Sequence, residues 1–243
     1  MDYVLIVGAK SDIATSVAEI YAKNGYNLYL AARKSSDLTL FANDLSIRTS
    51  TEVVCVDIDV LDYDSHDGFY KSLNGTLAGV IFVAGYLGDQ NKAQSDFSEA
   101  RKIIETNYVG AISLLGIIAE DFERQQSGFI VGIGSVAGDR GRASNYIYGS
   151  SKAAFSTFLS GLRNRLHNSG VHVLSVKPGF VDTKMTQGMD LPSRLTSSPQ
   201  EIAKDIYKAQ QNKKNTLYTK SVWGWIMFVI RLIPERIFKK MSL

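Results

Sequence analysis

The chain has little of three features that would define other classes of protein: cysteine, uninterrupted apolar runs and Pro- or Ser-rich linkers. Its single cysteine, Cys55, cannot form an internal disulfide, which favours a reducing compartment. No apolar run reaches the roughly 20 residues that a membrane-spanning helix needs. The first residues, Met1-Asp2 followed by YVLIV, leave no room for a targeting segment. We therefore expect one domain in a cytoplasmic protein.

Basic stripes and metal-ligand spacings are also missing. Residues 217–243 contain five cations and one carboxylate, a charge of +4, which leaves −1 for the rest of the chain, so the net charge of +3 is due to this C-terminal segment. The rest of the chain has no basic stripe with interleaved aromatic residues, so we expect no nucleic-acid partner. The histidines, His66, His167 and His172, do not have the spacing of metal ligands, so we expect no metal site.

Six short runs alternate along the chain with longer segments of helical period. The runs are nearly continuous in apolar character, which is typical of parallel strands covered on both faces. They occupy residues 3–7, 27–31, 52–56, 79–83, 129–133 and 171–176. Gly25 is placed to terminate the first helix, and Ser198 with Glu201 forms a capping box at a later one. The alternation predicts an α/β fold, a doubly wound Rossmann-type parallel sheet in three α/β/α layers.

The segment VGAKSDIA, residues 7–14, has the position of a phosphate-binding turn; we call it the nucleotide turn. Gly8 stands at the tight bend, where backbone N–H groups at a helix N-terminus would face a pyrophosphate. Two further glycines are usual in such a turn, but Asp12 and Ala14 take their places. We expect Asp12 to turn away and cap the first helix. A plain strand–turn–helix connection is the alternative.

The ends of the second and third predicted strands bear on the choice of cofactor. An acidic residue after the second strand would bind the ribose 2′-OH of NAD, but the sequence there reads AARK, with Arg33 and no carboxylate. Because a guanidinium pairs with a 2′-phosphate, Arg33 favours NADP(H); an ordinary surface cation is the alternative. Asp57 is expected either to accept a hydrogen bond from adenine or to cap a loop.

The stretch GSVAGDRGRASNYIYGSSK contains the components of an acid–base site. Tyr148 and Lys152 are four residues apart and share one helical face, and Ser135 lies at a strand end. A tyrosine with a pKa of about 10 is a poor acid–base catalyst at neutral pH. We expect the Lys152 cation to lower that pKa by favouring the phenolate. Ser135 can hydrogen-bond the substrate oxygen in parallel.

Over residues 1–219 the chain resembles the short-chain dehydrogenase/reductase family, and we predict one catalytic domain there. The matching segments are GAKSDIA, VAG at 83–85, Asn107, Ser135, YGSSK and PGFVDT. The resemblance implies that Tyr148 is the general acid in reduction and that Lys152 holds the nicotinamide ribose. It gives Ser135 a role in positioning the substrate and Asn107 one in a proton relay. It implies that NADP(H) is held by Gly8, Lys10, Ser11, Asp12, Ile13, Arg33, Asp57, Ala84, Gly85, Lys152, Pro178, Gly179, Val181 and Thr183.

The same resemblance implies a homodimer or homotetramer packed through the helices that carry Asn107 and Tyr148. We therefore expect an NADPH-dependent oxidoreductase that reduces a ketone to an alcohol by hydride transfer. Its substrate would be a small-molecule or lipid-linked carbonyl compound. A non-catalytic NADP(H)-binding scaffold or redox sensor is the alternative, suggested by Asp12 in the nucleotide turn.

Residues 220–243 form an apolar and basic C-terminal extension. On a helical wheel one side carries Trp223, Ile226, Met227, Ile230, Ile233, Ile237 and Met241, and the other carries Arg231, Glu235, Arg236, Lys239 and Lys240. Pro234 should kink or split the helix. The pattern fits a helix on an anionic membrane surface, held through 221–243 at the inner face; a lid or an oligomer contact is the alternative. With the SDIA turn, the extension resembles a branch containing decaprenylphosphoryl-ketopentose reductases, which implies a lipid or prenyl-phosphate-sugar substrate.

Overall fold

The computed structural model describes residues 2–241, so Met1 of the predicted domain and residues 242 and 243 of the predicted extension lie outside the described part. The strands are β1 (Tyr3–Val7), β2 (Asn27–Ala32), β3 (Val53–Asp57), β4 (Leu77–Phe82), β5 (Phe129–Ile133), β6 (His172–Lys177), β7 (Phe180–Val181), β8 (Thr196–Ser197) and β9 (Thr216–Tyr218). The α-helices are α1 (Asp12–Lys23), α2 (Thr39–Thr49), α3 (His66–Ser72), α4 (Gln90–Ala93), α5 (Phe97–Ile104), α6 (Gly110–Gln125), α7 (Tyr146–Arg165), α8 (Pro199–Gln211), α9 (Val222–Leu232) and α10 (Glu235–Phe238).

Seven strands form one parallel sheet in the order β3-β2-β1-β4-β5-β6-β9. The chain runs outward in one direction from β1 to β3 and then crosses back to β4, which lies beside β1. Ligands in such sheets bind where the strand order reverses, outside the carboxyl ends of the strands. The loops after β1 and β4 are therefore the place to look for a site, and the predicted doubly wound sheet is confirmed.

Two apolar layers cover the sheet, because successive side chains of a strand point to opposite faces. Val4 and Ile6 of β1 pack on the side of α1 and α8, whereas Leu5 and Val7 pack on the side of α6 and α7. All four side chains are fully buried. This arrangement confirms the three layers and explains why the strands have no alternating pattern.

The predicted strands are confirmed within two residues at each end, and the capping box at α8 is present. Glu201 N donates to Ser198 Oγ at 3.2 Å, and Ser198 N donates to Glu201 Oε2 at 2.8 Å. The seventh strand of the sheet, β9, was not predicted. It has three residues, which is too short for a periodic pattern, and pairing with β6 defines it.

One helical stretch, Phe97–Gln125, is long and apolar enough by length and composition to cross a membrane. The stretch is not an uninterrupted apolar run in the sequence, since it contains Glu99, Arg101, Lys102 and Glu105, so the expectation drawn from such runs is not contradicted. Leu114, Ile118 and Phe122 on this stretch are fully buried in the layer that covers the sheet. The apolar side chains of this stretch therefore pack against the sheet in the core of the domain.

Candidate active site

A cavity of about 940 Å³ opens at the carboxyl ends of the central strands. Most predicted site residues line it: Lys10, Ser11, Asp12, Ile13, Gly85, Ser135, Tyr148, Lys152, Pro178, Gly179, Val181 and Thr183. Five others, Gly8, Arg33, Asp57, Ala84 and Asn107, are not part of its lining. The fold thus brings together groups that are up to 173 positions apart in the sequence.

Gly8 has a conformation and a position that exclude a side chain. Its φ is +86°, and a Cβ atom built there would lie 2.5 Å from the backbone nitrogen of Ala84. The loop after β4 is held against this turn, because Val83 N and Ala84 N both donate to the carbonyl oxygen of Val7. The close approach of these two loops leaves backbone at the floor of the crevice, which is the form that a dinucleotide turn needs.

Ser11, rather than Asp12, caps α1, so the predicted cap was wrong by one residue. Ser11 Oγ accepts a hydrogen bond from Ala14 N at 3.1 Å. The Asp12 carboxylate instead accepts from the backbone N–H of Lys184 at 2.8 Å, and the Lys184 ammonium lies 3.8 Å away. Asp12 does turn aside, but toward a loop 172 positions later in the chain, where no local pattern could have placed its partner.

The predicted residues for the adenosine part lie at the outer end of the nucleotide turn. Arg33 directly follows β2 and is exposed. Asp57 Oδ1 accepts a hydrogen bond from Ser35 N at 2.7 Å. Its carboxylate therefore caps the loop after β2, which was one of the two roles expected for it. Lys10 Nζ in the nucleotide turn forms an ion pair with Asp37, which lies in the segment after β2. This pairing lowers the pKa of the Asp37 carboxyl group. Each of the two loops thus contributes an exposed cation, Lys10 from the nucleotide turn and Arg33 from the loop after β2.

Asn107 is fully buried in a π-helical turn, Glu105–Val109, between α5 and α6. Such turns interrupt α-helices most often at functional sites. Asn107 Oδ1 accepts from Tyr86 N at 3.0 Å, and its Nδ2 donates to Tyr86 O at 2.7 Å. A Cβ atom at Gly85 would lie 3.0 Å from Asn107 Oδ1 and 3.2 Å from Lys152 Nζ. Gly85 therefore lies directly between the amide and the ammonium, on the wall of the cavity.

Ser135, Tyr148 and Lys152 lie together in the cavity, but their pKa values differ from the prediction. Burial raises the pKa of Tyr148 to about 12, although a hydrogen bond with Ser135 lowers it in part. Burial lowers the pKa of Lys152 to about 8. Lys152 Nζ donates to Ile133 O at 3.1 Å and lies 5.7 Å from the centroid of the Tyr148 ring. The expected lowering of the Tyr148 pKa by Lys152 was wrong, because removal of the phenol from water dominates.

The segment from Pro178 to Thr183 forms the opposite wall and contacts the C-terminal extension. A Cβ atom at Gly179 would lie 2.0 Å from the indole of Trp223, whose Nε1 donates to Leu195 O at 3.0 Å. Thr183 caps the turn at Lys184–Thr186 together with Thr186. The absence of a side chain at Gly179 is therefore what lets the indole reach the cavity lining.

The extension packs on the domain with the side that was predicted to face lipid. Trp223, Ile226, Met227 and Ile230, the inner stripe of α9, contact Val136, Phe180, Leu195 and Tyr218. Arg140 holds the helix end, since its Nη1 donates to Ile230 O and Ile233 O and its Nη2 donates to Glu235 Oε2. Its guanidinium also lies 3.7 Å from the centroid of the Phe238 ring. Pro234 separates α9 from α10, as predicted, and the membrane prediction for the inner stripe was wrong.

The cavity lining also contains residues that sequence reasoning did not find, among them Gln90, Arg142, Asn145 and Trp223. Asn145 directly precedes α7, which is a signal for a helix cap, yet its side chain makes no cap hydrogen bond. Arg142 gave no sequence signal, because a cation in a loop normally faces water. Their place in the lining follows from the path of residues 139–145 between Ser135 and Tyr148.

Known proteins resemble this chain over most of its length. Residues 2–192 match the family model described as short chain dehydrogenase. An uncharacterized oxidoreductase of Mycobacterium tuberculosis (strain ATCC 25618 / H37Rv) is 34% identical over 241 residues, which are 98% of this chain and 96% of the relative. Among solved structures, a short-chain dehydrogenase from Sphingobium yanoikuyae in complex with NADPH superimposes with a TM-score of 0.83 at 23% identity, covering 97% of both chains.

A bulky-bulky ketone specific alcohol dehydrogenase from Comamonas testosteroni superimposes with a TM-score of 0.81 at 22% identity, covering 97% of this chain and 96% of the other. At these identities the two solved structures establish the fold. The family itself follows from the model match and from the mycobacterial relative. The chain belongs to the short-chain dehydrogenase family of oxidoreductases.

Proposed function

We propose that the protein is an NADPH-dependent reductase that converts a ketone to an alcohol. The observation that carries this proposal is the single cavity lined by Ser135, Tyr148 and Lys152 together with the nucleotide turn. The ketone specificity in the name of the Comamonas testosteroni neighbour supports the substrate class. The complete acid–base set argues against a scaffold or redox sensor, which would not need it.

In this proposal Tyr148 donates the proton to the carbonyl oxygen, because a phenol with a pKa of about 12 is protonated at neutral pH. Ser135 hydrogen-bonds the same oxygen. Lys152 holds the ribose and presents a positive charge to the phenol as it loses its proton. When bound, NADPH would supply the hydride that goes to the carbonyl carbon. The products would be the alcohol, NADP⁺ and a tyrosinate, which solvent reprotonates.

The residues at the nucleotide turn suit the cofactor. Gly8 leaves open backbone at the crevice floor, and the exposed cations Lys10, Arg33 and Lys34 would pair with a 2′-phosphate. The NADPH bound to the Sphingobium yanoikuyae neighbour supports this choice over NADH. Asp12 is less of an obstacle than its charge suggests, because Lys184 contacts its carboxylate.

The test is the consumption of NADPH, followed by absorbance, with a panel of ketones and ketosugars. Reduction of at least one carbonyl compound, with the alcohol identified as product, is the expected result. Binding of NADPH without reduction of any member of a broad panel would instead favour the scaffold.

We further propose that the extension attaches the enzyme to an anionic membrane and that the substrate is lipid-borne. The support is the outer stripe of α9, formed by Trp225, Phe228, Val229 and Leu232, which are 56–73% exposed. Exposed cations lie beside it at Arg231, Arg236, Lys239 and Lys240. An apolar stripe flanked by cations is the composition of a helix that lies in the headgroup region of anionic bilayers.

Flotation with vesicles of phosphatidylcholine and phosphatidylserine tests the attachment. Deletion of residues 221–243 would change the cavity as well as membrane binding, because Trp223 is part of the cavity wall. The double variant Trp225→Ser, Leu232→Ser removes only exposed side chains and should release the protein. The control Leu40→Ser, Ile47→Ser changes two apolar side chains on α2 that are at least as exposed, and it should float like the wild type. If the wild-type protein does not float with the vesicles, the proposed membrane attachment is ruled out.

A further inference from the structure

Arg142 places a guanidinium in the wall of the cavity without a charged partner. The residue is half-buried, and its Nε atom is enclosed with no hydrogen-bond partner in the described residues. Within residues 2–241, its side chain makes one contact of hydrogen-bond type, between Nη2 and Met227 Sδ at 3.3 Å, and a thioether is a weak acceptor. Burial lowers the pKa of Arg142, but a guanidinium keeps its charge at physiological pH.

The carboxylates close to this cation are already engaged. Asp139, three residues earlier, accepts from Lys177 Nζ and from the Tyr218 hydroxyl at 2.7 Å. Asp89, which also lines the cavity, caps α4 by accepting from the backbone N–H groups of Asn91 and Lys92. Between residues 2 and 241, no carboxylate oxygen lies within 4.0 Å of an Arg142 nitrogen. The cation is thus partly removed from water and not neutralised.

Two more side-chain atoms of the lining, Gln90 Nε2 and Asn145 Oδ1, are buried and have no hydrogen-bond partner in the part of the chain that the structure describes. The Gln90 amide is fixed, since its Oε1 accepts from Ile147 N at 3.1 Å. The apolar residues Leu87, Ile103 and Val136 contribute to the same lining. Buried polar groups without partners are unfavourable, so a ligand that supplies acceptors to Arg142 and Gln90 would bind preferentially.

We propose that Arg142 binds an oxyanion, a carboxylate or a phosphate, carried by the carbonyl substrate, and that Gln90 and Asn145 hydrogen-bond polar groups beside it. The proposal rests on the proposed function, since the anion and the reacting carbonyl belong to one molecule. A guanidinium is suited to this role because its planar donors match the geometry of both anions.

Calorimetric titration of the NADP⁺-saturated enzyme tests the site. The probes are benzoate and phenyl phosphate, with benzamide as the neutral analogue of similar shape. We expect the wild type to bind the anions at least about tenfold tighter than benzamide, the contribution of one hydrogen bond to a charged group. Arg142→Gln should lose this preference, and Arg142→Lys should retain part of it. Arg124→Gln, at an exposed cation on α6, is the matched control and should behave like the wild type.

Several results would overturn the site: no measurable anion binding by the wild type, equal affinity for anion and benzamide, or an unchanged preference in Arg142→Gln. An equally large loss of NADP⁺ affinity in Arg142→Gln would instead assign the guanidinium to the cofactor. Unchanged NADP⁺ affinity also shows that the variant is folded. Failure of the proposed function is separate, because it appears as absence of ketone reduction while anion binding persists.

The source of the anion is distinguished by a second arm. Phosphatidylcholine vesicles that contain phosphatidate offer the phosphate on a lipid, whereas phenyl phosphate offers it in solution. Vesicle binding that depends on Arg142 assigns the anion to a lipid headgroup. Binding of phenyl phosphate alone assigns it to a water-soluble substrate.

Discussion

The nucleotide turn and the loop of residues 139–145 line the same cavity, but they differ in how their polar groups are paired. At the turn, Ser11 caps α1 and Asp12 accepts from the Lys184 backbone. In the loop, Arg142 Nε and Asn145 Oδ1 are buried and have no hydrogen-bond partner among the described residues, 2–241. The polar groups named at the nucleotide turn have hydrogen-bond partners within the protein, so this side of the cavity is preformed. The loop of residues 139–145 has buried polar atoms that only a bound ligand could pair, so this side gains most from a ligand. In the proposed function the nucleotide turn is the cofactor side and the loop of residues 139–145 is the substrate side. We therefore expect a change in the turn to alter cofactor affinity and a change in the loop to alter turnover.

The largest effect is expected from Tyr148→Phe. Removal of the positioned acid should lower kcat by about 100-fold or more, while the dissociation constant of NADPH stays unchanged. Initial rates and fluorescence titration measure the two quantities. Tyr146→Phe, two residues earlier and exposed, is the control and should keep full turnover. An unimpaired Tyr148→Phe enzyme would contradict the acid role.

Gly179→Ala tests the contact between the cavity wall at residues 178–183 and the C-terminal extension. The added methyl group would meet the Trp223 indole at 2.0 Å, and we expect the free energy of unfolding to fall by about 1–3 kcal/mol. Urea denaturation followed by tryptophan fluorescence measures this change. Gly161→Ala, on α7 with open space around the added atom, should not destabilise the protein. Equal stability of the two variants would mean that α9 is not held against this wall.

Arg33→Asp tests the cofactor side. The new carboxylate would repel a 2′-phosphate and accept from a free 2′-OH, so the ratio of NADPH to NADH affinity should fall at least about tenfold. Ketone reduction at saturating cofactor should keep its kcat. Arg48→Asp, at an exposed cation on α2, serves as the control. Equal affinity of the wild-type protein for NADPH and NADH would contradict the proposal that Arg33 selects NADPH.

The smallest effect is the pH dependence set by Lys152. Its pKa of about 8 means that the ammonium is charged below pH 8 and neutral above it. Because the charged form is the one assigned to the ribose and the phenol, kcat/KM should decline as the pH rises through about 8. Tyr148, with a pKa of about 12, stays protonated in this range and does not cause the decline. A profile that is flat to pH 10 would show that the ammonium keeps its charge in the working enzyme.

The extension is where sequence-based prediction did worst, and the reason is geometric. The sequence correctly indicated an apolar helix split at Pro234, but α9 carries two apolar stripes on opposite sides. Two contacts decide which stripe packs on the domain. The Trp223 indole fills the space left by the missing side chain of Gly179, and Arg140 donates to the carbonyl oxygen of Ile230, 90 positions later in the chain. Neither contact leaves a local pattern in the chain.

By itself the sequence determined the alternation of strands and helices, the bend at Gly8, the capping box at Ser198 and the shared helical face of Tyr148 and Lys152. These features arise from backbone preferences and from periodicity, which act over a few neighbouring residues. Only the tertiary structure decided the strand β9, the partner of Asp12, the direction of the Tyr148 pKa and the isolation of Arg142. Each of these depends on burial or on a contact between segments far apart in the chain, and burial is a property of the assembled layers.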